Sequence, residues 1–357
     1  MDQSADTLSL SPRAIYYLLL WAWNIDEFDD ELAVEAAHLH RPIDLLYLML
    51  ARGCARLVRR GMDREYREER YVGPSIRGRL EVAETIRLDR GYGRTAASSA
   101  EFLSPDCPQN RLLKYCLLVA SVQPRLDPMV RESCRIVANA FPLRSSGSRV
   151  DAIADLRSAR VHRNNRDYGV LLCIARLILR STVPSAADSD HLLPFTRARL
   201  ERLFELFLRN ALRRLLHDKA EVKAETVRWN NDSDFGSSLM PRMRTDLTIR
   251  AAESCMVIDA KYYKEPFTEH ASGKTLLRSA HLYQIYSYAI NLEKTDPQQR
   301  LWRGALAYAR AGAPFDLRYE LRGIPLRVVG IDLEAEPDVV LAQVMGLWGG
   351  TGVSVRH

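Results

Sequence analysis

Residues 240–263 read MPRMRTDLTIRAAESCMVIDAKYY, and this stretch decides the fold of the region around it. Residues 246–250 alternate, with Leu247 and Ile249 on one side, and residues 255–258 form a short apolar run with β-branched members. Both patterns are typical of strands. The residues between them, 251–254, have the right length for a hairpin loop. The stretch therefore predicts an antiparallel β-hairpin.

The register of this hairpin brings two carboxylates together. A hairpin centred between residues 252 and 253 places Asp246 opposite Asp259, with their Cβ atoms about 5 Å apart. Lys261 follows two residues after Asp259, so its side chain emerges on the same face of the strand. We expect these three side chains to face solvent and a bound ion rather than the core.

An aspartate pair beside a lysine is what a metal-dependent phosphodiesterase needs. Two close carboxylates repel each other, and Mg²⁺, or Mn²⁺ in its place, offsets the repulsion. The predicted metal set is Asp246, Asp259 and Ala260. A bound metal polarises a phosphate and lowers the pKa of its water, and Lys261 would hold that water or stabilise the developing charge. The chain is therefore predicted to cut nucleic acid. The alternative is an exposed hairpin with ordinary cross-strand charges.

Two predicted helices supply further candidates. Residues 198–216 carry an apolar stripe at helical spacing. Glu205, on the flank of that stripe, either completes the metal site or is a solvated surface residue. In the predicted helix at 280–289, Gln284 and Tyr288 share a face. We assign Gln284 to the catalytic set and Tyr288 to DNA contact, although the pair would also buttress Lys261. The alternative is an amphipathic helix with an aromatic core stripe.

Taken in order, these residues resemble the motif of the PD-(D/E)xK nuclease superfamily. More narrowly, the chain is similar to the McrC family, the nuclease subunits of McrBC 5-methylcytosine restriction systems. The similarity runs nearly end to end, through PRAIYYLLLWAW (12–23), RRGMDREY (59–66), PSIRGRLEVAETI (74–86), NRLLK (110–114) and the nuclease block. Thr245 stands where the superfamily name has proline, which is not a ligand.

The resemblance implies a Mg²⁺-dependent DNA endonuclease of a modification-dependent restriction system. It implies as partners a hexameric, McrB-like AAA+ GTPase, whose hydrolysis the N-terminal part stimulates, and double-stranded DNA with a modified cytosine. The sequence has no GxxxxGK[ST] loop, so the motor must be a separate protein. Two alternatives stay open: a non-catalytic activator or scaffold subunit of the motor, and a stand-alone structure-specific nuclease.

Composition agrees with a nucleic-acid partner. The net charge of +6 and the pI of about 9.0 favour an anionic ligand. Arg242 and Arg244, just before Asp246, are the predicted DNA contacts, with solvated surface charge as the alternative. The six cysteines form no CxxC pair and are typical of reduced core residues. We expect a cytoplasmic protein without a signal peptide, since the apolar run at 14–23 is about half a membrane span.

The chain is predicted to fold as α+β or α/β in two domains. Residues 1–163 would form a mostly helical, ring-docking domain, and residues 164–357 a mixed-sheet endonuclease domain. Helices are predicted at 12–24, 42–60, 110–120, 128–140, 150–159, 168–180 and 198–216, and late strands at 303–309 and 326–333. Two strands at 65–72 and 79–86 would make a projecting hairpin, whose loop carries Arg77 and Arg79 as contacts to the motor. The alternative for this segment is an ordinary surface hairpin.

Overall fold

The computed structural model describes residues 8–25, 30–89, 94–162, 165, 167–181, 196–227, 229, 240–269, 275–312 and 314–349. Its helices are α1 (Pro12–Ala22), α2 (Asp30–Ala37), α3 (Pro42–Arg60), α4 (Val82–Asp89), α5 (Pro108–Ser121), α6 (Pro128–Ala140), α7 (Arg149–Ser158), α8 (Asp167–Ser181), α9 (Arg197–Leu215), α10 (Ser279–Thr295) and α11 (Pro337–Gly349). Its strands are β1 (Glu65–Gly73), β2 (Arg79–Leu80), β3 (Ala96–Ser104), β4 (Glu221–Lys223), β5 (Thr226–Val227), β6 (Met243–Arg244), β7 (Leu247–Arg250), β8 (Ser254–Lys261), β9 (Phe267–Glu269), β10 (Thr275–Leu277), β11 (Leu301–Arg310), β12 (Phe315–Leu321) and β13 (Ile324–Asp332). The predicted mixture of helices with a mixed sheet is therefore confirmed, and the eight predicted helices are present.

The chain divides into two compact units, and the division differs from the predicted boundary after residue 163. One unit combines residues 1–42 with residues 195–357, and the other consists of residues 43–194. The first two helices therefore belong with the sheet, whereas α8, expected in the nuclease domain, belongs with the helical unit. The observed boundary differs from the predicted one because it depends on packing between segments that are far apart in the chain, and no local sequence pattern indicates such packing.

Helix α1 shows why the N-terminal segment joins the sheet unit. It packs against α9, and the Asn210 side chain of α9 donates to the Trp21 and Ala22 carbonyl oxygens at 3.3 and 2.9 Å. These are carbonyls that a helix end leaves unsatisfied. At the other end, the Ser11 N–H and hydroxyl donate to the Glu334 carboxylate at 2.7 and 2.6 Å. Both ends of α1 are thus fixed by residues of the sheet unit.

The centre of this unit is a six-stranded mixed sheet in the order β12-β13-β11-β8-β7-β4. Strand β11 runs parallel to β8 and to β13, while the other neighbouring pairs are antiparallel. The late strands predicted at 303–309 and 326–333 correspond to β11 and β13. Helix α10 lies between β8 and β11 in the chain, as the crossover connection of a parallel pair requires.

Helix α10 lies close to the sheet because β11 carries a glycine beneath it. A Cβ atom on Gly304 would come within 2.6 Å of the Leu326 side chain and 3.1 Å of Ile285. The core between helix and sheet includes Ile285, Tyr288 and Trp302. The close approach brings the polar face of α10 within reach of the end of β8.

The unit of residues 43–194 combines helices α3 and α5–α8 with a small sheet in the order β1-β3-β2. The predicted hairpin of residues 65–72 with 79–86 is wrong. Strand β1 pairs along its whole length with β3, β2 is two residues long, and residues 82–89 form helix α4. Residues 82–86 were mistaken for a strand because a short apolar segment fits a helix and a strand equally well. Strand β3 was not predicted because it has few of the β-branched and aromatic residues that are typical of strands.

The base of this small sheet is held by a buried polar network. Asn110, fully buried on α5, donates to the Asp63 carbonyl oxygen at 2.9 Å and accepts from the Tyr168 hydroxyl at 2.6 Å. The Tyr168 hydroxyl in turn accepts from the Asp63 N–H at 2.9 Å. Buried polar groups need such partners, so α5 and α8 fix the point at which the chain enters β1.

Among the residues that the structure describes, no helix combines the length and the apolar character that a membrane span requires.

Candidate active site

The predicted register of the 246–261 hairpin is confirmed. Leu247 pairs with Ile258 and Arg250 with Cys255, so one further step along the ladder brings Asp246 opposite Asp259. Asp246 lies immediately before β7, and its Oδ2 accepts a hydrogen bond from the Ala260 N–H at 2.7 Å. The two carboxylates therefore meet at one end of neighbouring strands, as the sequence indicated.

Asp259 lies inside the protein and Asp246 is only partly exposed, which corrects the expectation that both face solvent. Asp259 is 1% exposed and Asp246 is half-buried. Burial and, to a smaller extent, the negative charge of Asp259 raise the pKa of Asp246 to about 7. The hydrogen bond from the Ala260 N–H lowers this pKa and so opposes both effects. Burial also raises the pKa of Asp259, although Lys261 opposes the shift. In this environment both aspartates hold a negative charge less readily than in water, and a nearby cation would stabilise their charged forms.

Lys261 is the first member of a chain of polar side chains that leads to α10. Its ammonium forms an ion pair with Asp259 Oδ2 at 2.6 Å and donates to Gln284 Oε1 at 3.0 Å. Gln284 Nε2 then donates to the Tyr288 hydroxyl at 3.0 Å. The same-face position predicted for Lys261 is thus present. Tyr288 is only 9% exposed and belongs to the core, which suits the buttressing arrangement and not the predicted contact with DNA.

Glu205 lies near both aspartates but is engaged by arginines. It accepts from Arg209 at 3.1 Å and also pairs with Arg202, and its side chain is 15% exposed. It is therefore not the solvated surface residue of the alternative interpretation. Its negative charge contributes to the raised pKa of both Asp246 and Asp259.

The remaining predicted residues are divided between the two units. Arg242 and Arg244 are exposed, the latter on β6. Arg77 and Arg79 belong to the other unit. Arg77 donates its N–H to Ser98 Oγ at 2.9 Å and places its guanidinium 4.3 Å from the Tyr71 ring centroid. Arg79 is exposed and pairs through its backbone with Ser99.

One neighbour of the site went unnoticed in the sequence. His281, on α10 one turn before Gln284, forms a 2.7 Å hydrogen bond through Nδ1 with the buried Tyr308 hydroxyl. Burial lowers the pKa of His281 to about 4, helped by the charges of Lys261, Arg278 and Arg197. Its spacing of three and seven residues from Gln284 and Tyr288 is a helical one, and that spacing was the available signal.

The donor groups suit a hard divalent ion. Within the described ranges, no group of three or more His, Cys, Asp and Glu side chains is arranged to hold a metal. The fitting donors are therefore Asp246, Asp259 and a backbone carbonyl, for which Ala260 is the candidate. Two carboxylates with further positions for water and phosphate match the preference of Mg²⁺. The Ala260 N–H occupies one oxygen of Asp246 and orients the other.

Comparisons with known proteins agree over most of the chain. The family model described as McrBC 5-methylcytosine restriction system component matches residues 10–301. The chain is 28% identical over 337 residues to the type IV methyl-directed restriction enzyme EcoKMcrBC of Escherichia coli (strain K12), covering 91% of this chain and 93% of that protein. The fold is similar to a chain in the half-complex of the tetradecameric assembly of Thermococcus gammatolerans McrB AAA+ hexamers with bound McrC. The TM-score is 0.64 at 17% identity, over 95% of this chain and 76% of that one.

Proposed function

Because the chain belongs to the McrBC 5-methylcytosine restriction system component family, we propose that it is the DNA-cleaving subunit of such a system. It hydrolyses phosphodiester bonds at the Asp246–Asp259–Lys261 centre, and Mg²⁺ is its cofactor. Its partners are an McrB-like AAA+ GTPase hexamer and double-stranded DNA with a modified cytosine.

The observation that carries this proposal is a buried carboxylate pair with a lysine held between an aspartate and an amide. A purely structural ion pair needs one carboxylate for one ammonium. Here Asp246 adds a second carboxylate opposite Asp259, and burial and the charge of Asp259 both raise its pKa. An apolar residue in place of Asp246 would remove this cost and leave the Asp259–Lys261 ion pair complete, so the second carboxylate is better explained by catalysis than by stability.

The residues of the chain divide the work of hydrolysis. Asp246 and Asp259 would hold the cation, with the Ala260 carbonyl as a further candidate ligand. When bound, Mg²⁺ polarises the scissile phosphate and lowers the pKa of a bound water. Lys261 places a positive charge beside that phosphate, where negative charge develops. The ion pair with Asp259 and the hydrogen bond to Gln284 together orient this ammonium.

Isosteric variants of the aspartates test this assignment. Asp259→Asn and Asp246→Asn should each abolish Mg²⁺-dependent cleavage of modified DNA in the presence of the partner, and Lys261→Ala should slow it by about 10²–10³. Asparagine keeps the volume of these buried positions, so the variants should fold. Full cleavage by Asp259→Asn protein contradicts the proposal. If wild type fails to cleave but stimulates the partner's nucleotide hydrolysis, the activator subunit is the correct alternative. Cleavage that is independent of the partner would instead favour a stand-alone nuclease.

We further propose that the β1–β3–β2 sheet and α4 dock on the AAA+ partner. Large apolar side chains are exposed on these elements and on the loop after β1: Tyr66, Val72, Ile76, Leu80, Val82, Ile86, Leu88, Phe102 and Leu103. So many exposed apolar side chains on neighbouring elements favour an interaction surface in this region. Arg77, held over Tyr71, and Arg79 add positive charge to it.

A loop replacement tests this surface. Exchanging Ser75, Ile76 and Arg77 for a Gly-Ser linker should abolish stimulation of the partner's nucleotide hydrolysis. Single variants sharpen the test, because Ile76 and Ile136 are both 57% exposed in the same unit. Ile76→Ser should reduce stimulation and Ile136→Ser should not. Wild-type stimulation by the loop variant would show that the partner docks elsewhere.

A further inference from the structure

Tyr263 stands two residues beyond Lys261 and is approached by two arginines. The Arg197 Cζ lies 4.1 Å from the centroid of its ring, and the Arg278 Cζ lies 5.0 Å from it. Arg197 begins α9 and Arg278 directly precedes α10. The chain thus brings cations from two distant helices to one aromatic ring at the edge of the candidate active site.

These guanidinium groups are close enough to repel each other. With both centred on one ring, they are nearer together than the Debye length of about 10 Å at 0.1 M salt. Glu201 accepts from Arg197 at 3.1 Å, and the Glu265 carbonyl oxygen accepts from Arg278 at 3.3 Å. Together with Lys261, the two arginines also lower the pKa of His281, which places a positive field around a neutral imidazole.

The ring has a physical use for an anion site. A guanidinium that rests on an aromatic face is restricted in its rotamers, so it loses less entropy when it binds a ligand. The planar N–H groups of arginine suit phosphate oxygens. The N-terminal ends of α9 and α10 lie here as well, and their dipoles favour negative charge. Tyr263 follows Lys261 by two residues, a span of at most about 7 Å along the chain.

We propose that Arg197 and Arg278, positioned by Tyr263, bind a backbone phosphate of the DNA strand next to the phosphate that is cut. The inference rests on the proposed function, because it takes Lys261 to mark the scissile phosphate. The ligand class is a phosphodiester anion, so the contact carries no sequence information.

The test measures DNA binding by the full-length chain in EDTA, where cleavage does not interfere. Fluorescence anisotropy with a labelled duplex, repeated over a range of salt concentrations, gives affinity and salt dependence. In Arg197→Gln/Arg278→Gln protein, the affinity should fall about tenfold or more, and the slope of log K against log salt should become shallower by about 1–2. Modified and unmodified duplexes should lose affinity equally. Restoring charge with lysine at both positions should recover part of the affinity.

Arg214→Gln is the matched control. Arg214 also rests on an aromatic ring, that of Trp21 at 4.7 Å, but at the other end of α9, about 25 Å away along the helix axis. It should bind DNA like the wild type. The proposal is overturned if the double variant stays within twofold of the wild type, if Arg214→Gln loses as much affinity, or if the wild-type chain does not bind DNA. Failure of the nuclease assignment shows instead as cleavage by Asp259→Asn protein, which leaves this binding measurement unaffected.

Discussion

Replacing Gln284 with leucine removes the amide that holds Lys261 without changing a charge. Gln284 is half-buried on α10, and leucine has a similar volume and a higher helix propensity. The substitution deletes the 3.0 Å hydrogen bond from the Lys261 ammonium and leaves its 2.6 Å ion pair with Asp259 intact. We therefore expect an ammonium that is still charged but less well oriented toward the substrate.

The size of the effect follows from the type of hydrogen bond. A hydrogen bond to a charged group contributes about 1.5–3 kcal/mol. If this bond acts in the transition state, its loss slows cleavage roughly 10- to 150-fold, at about 1.4 kcal/mol per factor of ten. The next bond in the chain, from Gln284 to the Tyr288 hydroxyl, joins neutral groups and is worth about 0.5–1.5 kcal/mol. Tyr288→Phe should therefore slow cleavage roughly 2- to 10-fold.

Single-turnover cleavage of a modified duplex, with the AAA+ partner at saturation, measures both effects. The Mg²⁺ concentration for half-maximal rate should be unchanged in Gln284→Leu protein, because neither aspartate is touched. Tyr283→Phe is the control, since Tyr283 lies on the same helix and is 70% exposed. If Gln284→Leu protein cleaves within twofold of the wild type, or if Tyr288→Phe is the slower of the two, the polar chain does not support catalysis.

The remaining predictions concern Glu205 and His281. Glu205→Gln should weaken cleavage, and higher Mg²⁺ or Mn²⁺ should partly restore it. The same change should lower the melting temperature, because Arg209, whose side chain is 10% exposed, loses its charged partner. Loss of stability without an effect of the metal concentration would leave Glu205 a structural residue. His281 has a pKa lowered to about 4 in the folded chain, so its neutral form contributes stability above pH 6.5 that is lost as the pH falls toward 4. That contribution is on the order of 3 kcal/mol. Urea unfolding at pH 7.5 and pH 5 should show a smaller difference in His281→Gln protein, and an equal difference would contradict this reasoning.

The parts of the fold that the sequence predicted well rest on local rules. Proline stands in the first turn of α1 and of α6, where it favours a helix start, and an apolar stripe marked α9. The centre of the short loop at 251–254 set the register of the hairpin that carries Asp246 and Asp259, and a slip of one residue would turn every side chain to the other face. Lys261 followed from the same period of two. These features need no information about the rest of the chain.

The parts that could not be predicted depend on distant segments. Whether residues 82–86 are strand or helix is decided by β3, which takes the place beside β1 that those residues were expected to fill. Tyr288 reads equally well as a surface or a core residue until Trp302 and Ile285 are known to lie beside it. Glu205 is withdrawn from solvent by two arginines whose directions the sequence does not reveal. The burial of these side chains thus depends on residues that are distant in the sequence, and the sequence alone does not show which residues those are.

The docking of α1 on α9 also sets an order of events during synthesis. The carbonyl oxygen of Leu8 accepts a hydrogen bond from the buried Tyr262 hydroxyl, and the α1 residues Ile15 and Leu19 are each at most 2% exposed. All of these residues belong to a unit that residues 43–194 interrupt. At about 5–20 residues per second, the ribosome needs roughly 8–30 s to make the intervening segment. During that time the apolar face of α1 has no α9 to cover it. Until α9 is made, α1 therefore exposes apolar surface of the kind that makes incomplete chains prone to aggregate.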